Sequence, residues 1–312
     1  MKTALVTGGA GFIGSHVVDY LLNKGLNVVV LDNLSTGKKQ NVYNKNIQFV
    51  EGDIKDKALL ENVFSVHSPH YVFHLAAQIS VSRSVREPAL DCEDNILGTI
   101  FLLEASVKCH CEKFIFTSSG GVMYGEDPIS FPTSEDEKQE PSSPYGISKM
   151  SAERYVEFFQ KEYKLPYTIL RYSNVFGPRQ NPQGEAGVVA IFTEKMLKKE
   201  TVVINGDGKY IRDYVFVEDV AKANLLSIEK GENDYFNIGT SIGTDVNELF
   251  YAIKKITGYE KDPAYGPPRS GDLRKSILDY KKAKNILEWE PQYSLEKGLV
   301  QTYDFFASRL GI

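Results

Sequence analysis

The chain has 312 residues, 42% of them hydrophobic and 25% charged, with a formal net charge of −5. This balance is that of an ordinary globular protein and supplies no strongly basic surface, which argues against a nucleic-acid partner. Apolar runs such as Val188–Phe192 fall far short of the ~20 residues a membrane helix needs, so no membrane partner is expected.

The apolar run at the N-terminus follows one lysine and is broken by Gly8, Gly9 and Gly11. It therefore reads as a strand and not as a signal peptide. Strands are predicted at Ala4–Thr7, Asn27–Leu31, Ile47–Glu51, Tyr71–Leu75, Lys113–Ser118 and Tyr167–Tyr172. Helices are predicted near Phe12–Asn23, Lys57–Val66, Asp94–Lys108 and Tyr145–Tyr163. Strand and helix in alternation predict an α/β fold: a Rossmann-like, doubly wound parallel sheet with ligand at the carboxyl ends of the strands.

After Ser173 turn residues cluster at Gly177–Gly187, Asn205–Lys209 and Tyr265–Gly271. This change of texture divides the chain into an NAD-binding domain, residues 1–173, and a smaller C-terminal α/β substrate lobe, residues 174–312. Asp213–Val217 and Tyr235–Ile238 also look like strands and could rejoin the main sheet. Cys92, Cys109 and Cys111 are odd in number, with two of them very close in sequence. That fits free thiols in a reducing cytoplasm better than a disulfide framework. Cys109-His110-Cys111 has no second ligand pair nearby, so no metal is expected.

The segment Gly8-Gly9-Ala10-Gly11-Phe12-Ile13-Gly14 joins the first strand to the first helix. Its glycines permit a tight turn and close approach of a pyrophosphate to the helix N-terminus. Asp32, ending the second strand, can accept both ribose hydroxyls and repels a 2′-phosphate. Asn33 and Leu34 follow it with no arginine, so NAD is favoured over NADP. Asp53, next to Ile54, is placed to receive an adenine amino group.

Tyr145 and Lys149 stand four residues apart on one face of a helix that begins after Pro144. A phenol of pKa about 10 is a poor base at neutral pH, and a lysine and a positive nicotinamide ring beside it favour phenolate. Ser119, ending the fifth strand, could hydrogen-bond the same substrate hydroxyl.

Taken with Thr7–Gly14, His74-Leu75-Ala76-Ala77, Asn95, Ser118–Ser119 and Arg171-Tyr172-x-Asn174-Val175-x-Gly177-Pro178-Arg179, these residues resemble the extended short-chain dehydrogenase/reductase family. Gly206-Asp207-Gly208, Arg212-Asp213-Tyr214, Asn237-x-Gly239-Thr240 and Arg269-x-Gly271-Asp272 extend the resemblance to essentially the whole chain. Within the family, Gly120-Gly121 and Gly184–Phe192 are most similar to the bacterial UDP-glucose 4-epimerases. The resemblance implies that Tyr145, Lys149 and Ser119 are catalytic. It assigns NAD to Gly8, Gly11, Phe12, Ile13, Gly14, Asp32, Asn33, Asp53, Ile54, Leu75, Ala76, Ala77, Asn95, Ser118, Tyr145, Lys149 and Tyr172. It assigns the UDP-sugar to Ser119, Tyr145, Asn174, Val189, Arg212, Arg269, Asp272 and Ser276, with Arg212 and Arg269 on the diphosphate.

The implied reaction is 4-epimerisation of a UDP-hexose through a transient 4-keto sugar. Related dehydratases and decarboxylases carry acidic residues after the catalytic serine or threonine, where this chain has Gly120 and Gly121. Ser276 falls at a gatekeeper position at which tyrosine restricts relatives to UDP-glucose and UDP-galactose, so room for a 2-acetamido group is expected. Arg83 resembles relatives that handle N-acetylated or uronic sugars and reads equally as a structural salt bridge. The alternatives are a UDP-glucuronate 4-epimerase, a nucleotide-sugar 4,6-dehydratase or, in another class, a non-catalytic NAD-binding sensor. A homodimer joined through the Asp94–Lys108 and Tyr145–Tyr163 helices is implied by the resemblance.

Overall fold

The computed structural model of the chain describes residues 1–43, 45–183, 187–268 and 273–312. Six strands form where the hydrophobic runs predict them: β1 (Thr3–Thr7), β2 (Asn27–Asp32), β3 (Gln48–Glu51), β4 (Tyr71–His74), β5 (Lys113–Ser119) and β6 (Tyr167–Tyr172). Beyond them lie β7 (Asn174–Phe176), β8 (Val203–Asn205), β9 (Ile211–Phe216), β10 (Asp234–Ile238), β11 (Gly243–Asp245), β12 (Ala264–Gly266) and β13 (Lys275–Ser276).

The main sheet has seven strands in the order β10-β6-β5-β4-β1-β2-β3, all pairs parallel. Parallel strands need crossovers, and the crossovers cover both faces, so each strand is apolar on both sides. All six residues of β6 are buried. One face carries the cluster around Val17, Val18, Leu21, Val220 and Trp289; the other carries Leu60, Leu102, Leu103, Val156 and Phe159. Strand order reverses at β1, between β4 and β2, which opens a crevice at their carboxyl ends.

The predicted Asp94–Lys108 helix forms, but its first turn is wider than an α-helical one. A wide π-type turn, Glu93–Leu97, precedes a helix at Gly98–Lys108. Gly98 lets this turn lie against Ile54, because a Cβ there would sit 2.6 Å from Ile54 Cδ1.

Of the two later strand candidates, Asp234–Ile238 joins the main sheet, pairing Phe236 with Leu170. Ile211–Phe216 does not. The edge beside β6 is taken by β10, and β9 becomes the centre of a second sheet with β7, β11 and β13. This sheet packs on helices Val188–Leu197, Val246–Thr257 and Leu295–Leu310 around Phe176, Phe192, Phe216, Phe250 and Leu299.

Candidate active site

The crevice beside β1 is shaped where only glycine fits. Gly8 has φ +69°, and a Cβ on it would stand 2.7 Å from Ala76 N. A Cβ on Gly14 would stand 2.2 Å from Gly8 O. Helix Phe12–Asn23 starts at Gly11 with no side chain capping its N-terminus, so its first N–H groups and positive dipole end face the crevice. Asp32 closes the other side. Its carboxylate accepts from Ala10 N at 2.9 Å and Leu34 N at 2.8 Å, leaving a second lone pair on each oxygen. Burial raises its pKa and these two backbone donors pull it down. Asn33 donates to Asp53 at 3.1 Å, and Ile54 is buried against Gly98. The Ser118 hydroxyl is buried with no hydrogen-bond partner among the described residues. A Cβ-free cradle, an uncapped helix and an orphaned hydroxyl fit an adenine dinucleotide.

Beneath the crevice runs a chain of hydrogen bonds. Ala76 N donates to Thr7 Oγ1 at 3.3 Å; Thr7 Oγ1 meets His74 Nδ1 at 2.8 Å; His74 Nε2 meets Thr99 Oγ1 at 2.9 Å. Thr99 gives its own proton to Asn95 O at 2.7 Å, so it accepts from His74 Nε2–H, and Nδ1 accepts from Thr7. Burial, then the charge of Lys149, holds the imidazole pKa down to about 3, so the ring is neutral. The chain fixes the loop after β4, which carries Leu75, Ala76 and Ala77. Asn95, expected on the cofactor, spends its side chain elsewhere: Oδ1 accepts from Gln78 N at 2.9 Å, and Nδ2 donates to Gln78 O and Asp91 Oδ1. Its work is to brace that loop. The Tyr172 hydroxyl is likewise occupied, by Thr117 at 3.2 Å and Asn224 at 2.6 Å.

Helix Pro144–Tyr163 begins with Ser143 Oγ accepting from Gly146 N at 3.2 Å and with proline in its first turn, both helix-starting features. Tyr145 and Lys149 lie one turn apart and are 9% and 3% exposed. Ser119 at the end of β5 stands close enough to the phenol to draw its pKa down, so the strand and the helix meet at one point. Burial pushes the phenol pKa up to about 12; Ser119 opposes this and the charge of Asp91 adds to it. Burial brings the Lys149 ammonium down to about 8, against the pull of Asp91 and Glu153. Lys149 donates to Thr117 O at 2.9 Å and sits 5.0 Å from the centre of the Phe116 ring. The sequence reading has lysine and a positive nicotinamide ring together favouring phenolate; burial is the largest influence on the phenol and acts the other way.

On the substrate side, register does the assembling. Asn174 pairs with Tyr214 and Ser276 with Arg212, and Arg212 and Tyr214 are two apart, so Asn174, Arg212 and Ser276 share one face. A Cβ on Gly121 would lie 3.9 Å from Asn174 Oδ1 and 4.0 Å from Ser119 Oγ, which joins this face to the catalytic group. A Cβ on Gly120 would lie only 2.5 Å from Leu278 Cδ1. Val189 turns its side chain into the second core, so a role toward substrate falls to its backbone. Arg83 pairs with Glu87 at 2.9 Å on the surface. Arg179 ties the loop after β7 to Asp19 at 2.7 Å. Arg269, Asp272 and the Gly184–Ala186 part of the resemblance lie outside the described residues.

Four buried residues to which the sequence reading gave no role brace these groups. Asp91, Gln78 and Ser148 link the cofactor loop to the catalytic helix. Asp213, fully buried, accepts from Thr240 N and Oγ1, Ser241 N and Leu278 N. Asp91, Asn95 and Thr99 recur every fourth residue, a polar stripe on a buried helical face that was the available signal.

A parallel sheet with a glycine cradle at its switch point and a buried Tyr-x-x-x-Lys pair beside it defines a dinucleotide-dependent enzyme of the short-chain dehydrogenase/reductase type. Residues 4–239 match the NAD-dependent epimerase/dehydratase family, and the chain belongs to it. It is 60% identical to the UDP-glucose 4-epimerase of Thermotoga maritima, solved with UDP-glucose, over 99% of each chain with a TM-score of 0.97. It is 45% identical to the UDP-glucose 4-epimerase of Mycolicibacterium smegmatis over 99% of each chain. A UDP-N-acetylglucosamine 4-epimerase from Methanobrevibacter ruminantium, solved with UDP-N-acetylmuramic acid, is 38% identical over 99% of each chain, with a TM-score of 0.93. Among the described residues no helix is long and apolar enough to cross a membrane.

Proposed function

We propose that this chain catalyses the NAD-dependent 4-epimerisation of UDP-hexoses, interconverting UDP-glucose and UDP-galactose and accepting UDP-GlcNAc and UDP-GalNAc. The observation that carries the reading is a buried Tyr145–Lys149–Ser119 group followed directly by two glycines, Gly120 packed against Leu278 and Gly121 beside Asn174 and Ser119. The site has a base for the sugar hydroxyl, and glycines stand at 120 and 121, where dehydratases place acids after the catalytic serine or threonine.

Bound NAD supplies a hydride acceptor and donor, so that a C4 alcohol is oxidised transiently to a ketone and reduced again with no net redox change. Tyr145 takes the O4 proton as the C4 hydrogen leaves, and returns it when the alcohol re-forms. Ser119 holds the same oxygen. The phenol, at about 12 by burial, needs positive charge beside it, and Lys149 keeps an ammonium one helical turn away. Gly8, Gly14, Asp32 and Ser118 hold the dinucleotide. Arg212, with Arg269, grips the diphosphate bidentately while the ring turns over. Ser276 leaves space for a 2-acetamido group. The ion pair of Arg83 with Glu87 supports its structural reading over a grip on a uronate carboxylate.

Incubation with a panel of UDP-sugars followed by chromatography tests the reading. Interconversion of C4 epimers is expected; a stable 4-keto-6-deoxy sugar would overturn it. The setting is taken to be the cytoplasm, consistent with three free thiols. The chain is taken to pair with a second copy through the Gly98–Lys108 and Pro144–Tyr163 helices, where Leu97, Ile147, Tyr155, Phe158 and Tyr163 stay 40–51% exposed. Phe158→Glu should then give a monomer by sedimentation.

A further inference from the structure

Asp91 is 1% exposed and lies at the end of a short helix, Pro88–Cys92, that packs on the catalytic helix. Its Oδ1 accepts from Gln78 Nε2 at 2.7 Å and Asn95 Nδ2 at 3.1 Å, and its Oδ2 meets the Ser148 hydroxyl. Ser148 sits between Tyr145 and Lys149 on the same helix and also bonds Pro144 O at 3.0 Å. Only donors converge on Asp91, as on an ionised carboxylate, and no cation forms an ion pair with it among the described residues. Resting on the epimerase reading, we propose that Asp91 is a positioning residue whose buried negative charge sets the working pH range of the Tyr145–Lys149 pair while Ser148 fixes the spacing.

The sign is the informative part. One buried anion favours the ammonium of Lys149 and disfavours the phenolate of Tyr145, so its own contribution raises both pKa values, adding to burial at Tyr145 and opposing the larger effect of burial at Lys149. The other charges facing the pair are already partnered or neutral. Glu153, one turn beyond Lys149, is bound by Arg171 from β6 at 2.6 Å. His74 on β4 is neutral. On the helices packed opposite, Arg83 pairs with Glu87 and Asp94 with Lys55. Arg86 and Glu93 are exposed.

Asp91→Asn isolates the charge, because an amide can keep every contact: its oxygen accepts from Gln78 and Asn95, and its NH₂ donates to Ser148, whose own proton turns from residue 91 to Pro144 O. In the NAD-loaded protein the pH–rate profile for UDP-glucose should move as a whole, acid and alkaline limbs both shifting down by about 1 unit. Ser148→Ala keeps the charge, so its limbs should stay in place while kcat falls. Asp91→Ser carries the same expectation as the amide variant should that variant fail to fold. Ultraviolet difference titration of the phenolate, with Tyr145→Phe as the blank, reads the same shift without turnover. It therefore tests Asp91 even if no UDP-sugar were converted, an outcome that would sink the epimerase reading alone. Unmoved limbs and an unmoved phenolate titration, or limbs that move apart, would overturn the proposal.

Discussion

The two halves of the site are built differently. At Tyr145 and Lys149 the functional groups stand on a long helix and a seven-residue strand, and their neighbours are buried polar side chains already bonded to one another. At Arg212 and Ser276 they stand on short strands whose register, fixed by one buried carboxylate, Asp213, brings them side by side. A pre-bonded group holds a reacting proton within a fixed distance, which governs rate. A face assembled from short strands can change its lining without disturbing that group, which governs which sugar is accepted.

The sharpest way to break this comparison is Tyr145→Phe. It removes only the proton acceptor, so kcat for UDP-glucose should fall about 10³-fold. Binding of UDP, followed by calorimetry, should be unchanged; weakened nucleotide binding would show the two halves are not separable. Gly14→Ala comes next. Its Cβ would meet Gly8 O at 2.2 Å, so the cradle must open. Loss of retained NAD and destabilisation of about 3 kcal/mol in urea unfolding are expected.

The third test uses pH, because the two halves carry buried groups of opposite sign. The Asp213 pKa is raised by burial, against its hydrogen bonds from Thr240, to about 6 from 3.8. Between those values the folded chain binds more protons than the unfolded one, so stability contributed by this group falls as pH rises from about 4 to about 6. Lys149 is lowered by burial to about 8 from 10.5, so the unfolded chain binds more protons and stability rises from pH 8 upward. Melting curves of Asp213→Asn and Lys149→Met, each subtracted from wild type, should show slopes of opposite sign, about 3 kcal/mol across each window. Equal slopes would remove the distinction. The smallest effect belongs to Ser276→Tyr. UDP-GlcNAc turnover should drop about tenfold, or ~1.4 kcal/mol, while UDP-glucose turnover changes little; equal losses would refute the gatekeeper role.

The sequence was readable where one period or one spacing decides the outcome. Six strands, the glycine cradle and the Tyr145–Lys149 turn depend on neighbours within one element, and each forms as expected. The π-type turn at Glu93–Leu97 was hidden because the close packing beside it, Gly98 against Ile54, joins residues some forty apart in sequence. The partners of Asn95 were hidden for a related reason: sequence spacing does not show that its side chain is bonded to Gln78 and Asp91 in the folded chain. Asp213–Val217 has a strand's composition, but only the competition for the edge of β6 decides which sheet receives it.

That edge has a bearing on how such a molecule can be assembled from parts. The chain leaves the first sheet after Tyr172, builds most of a second layer, and comes back with Asp234–Ile238 to cover a strand buried along its whole length. A gene cut after residue 173 would release a protein with a bare apolar ribbon, inviting cross-strand aggregation. Exchange of sugar-recognition elements between relatives is thus confined to insertions within the outgoing and returning segments, and cannot proceed by swapping a detachable C-terminal cassette.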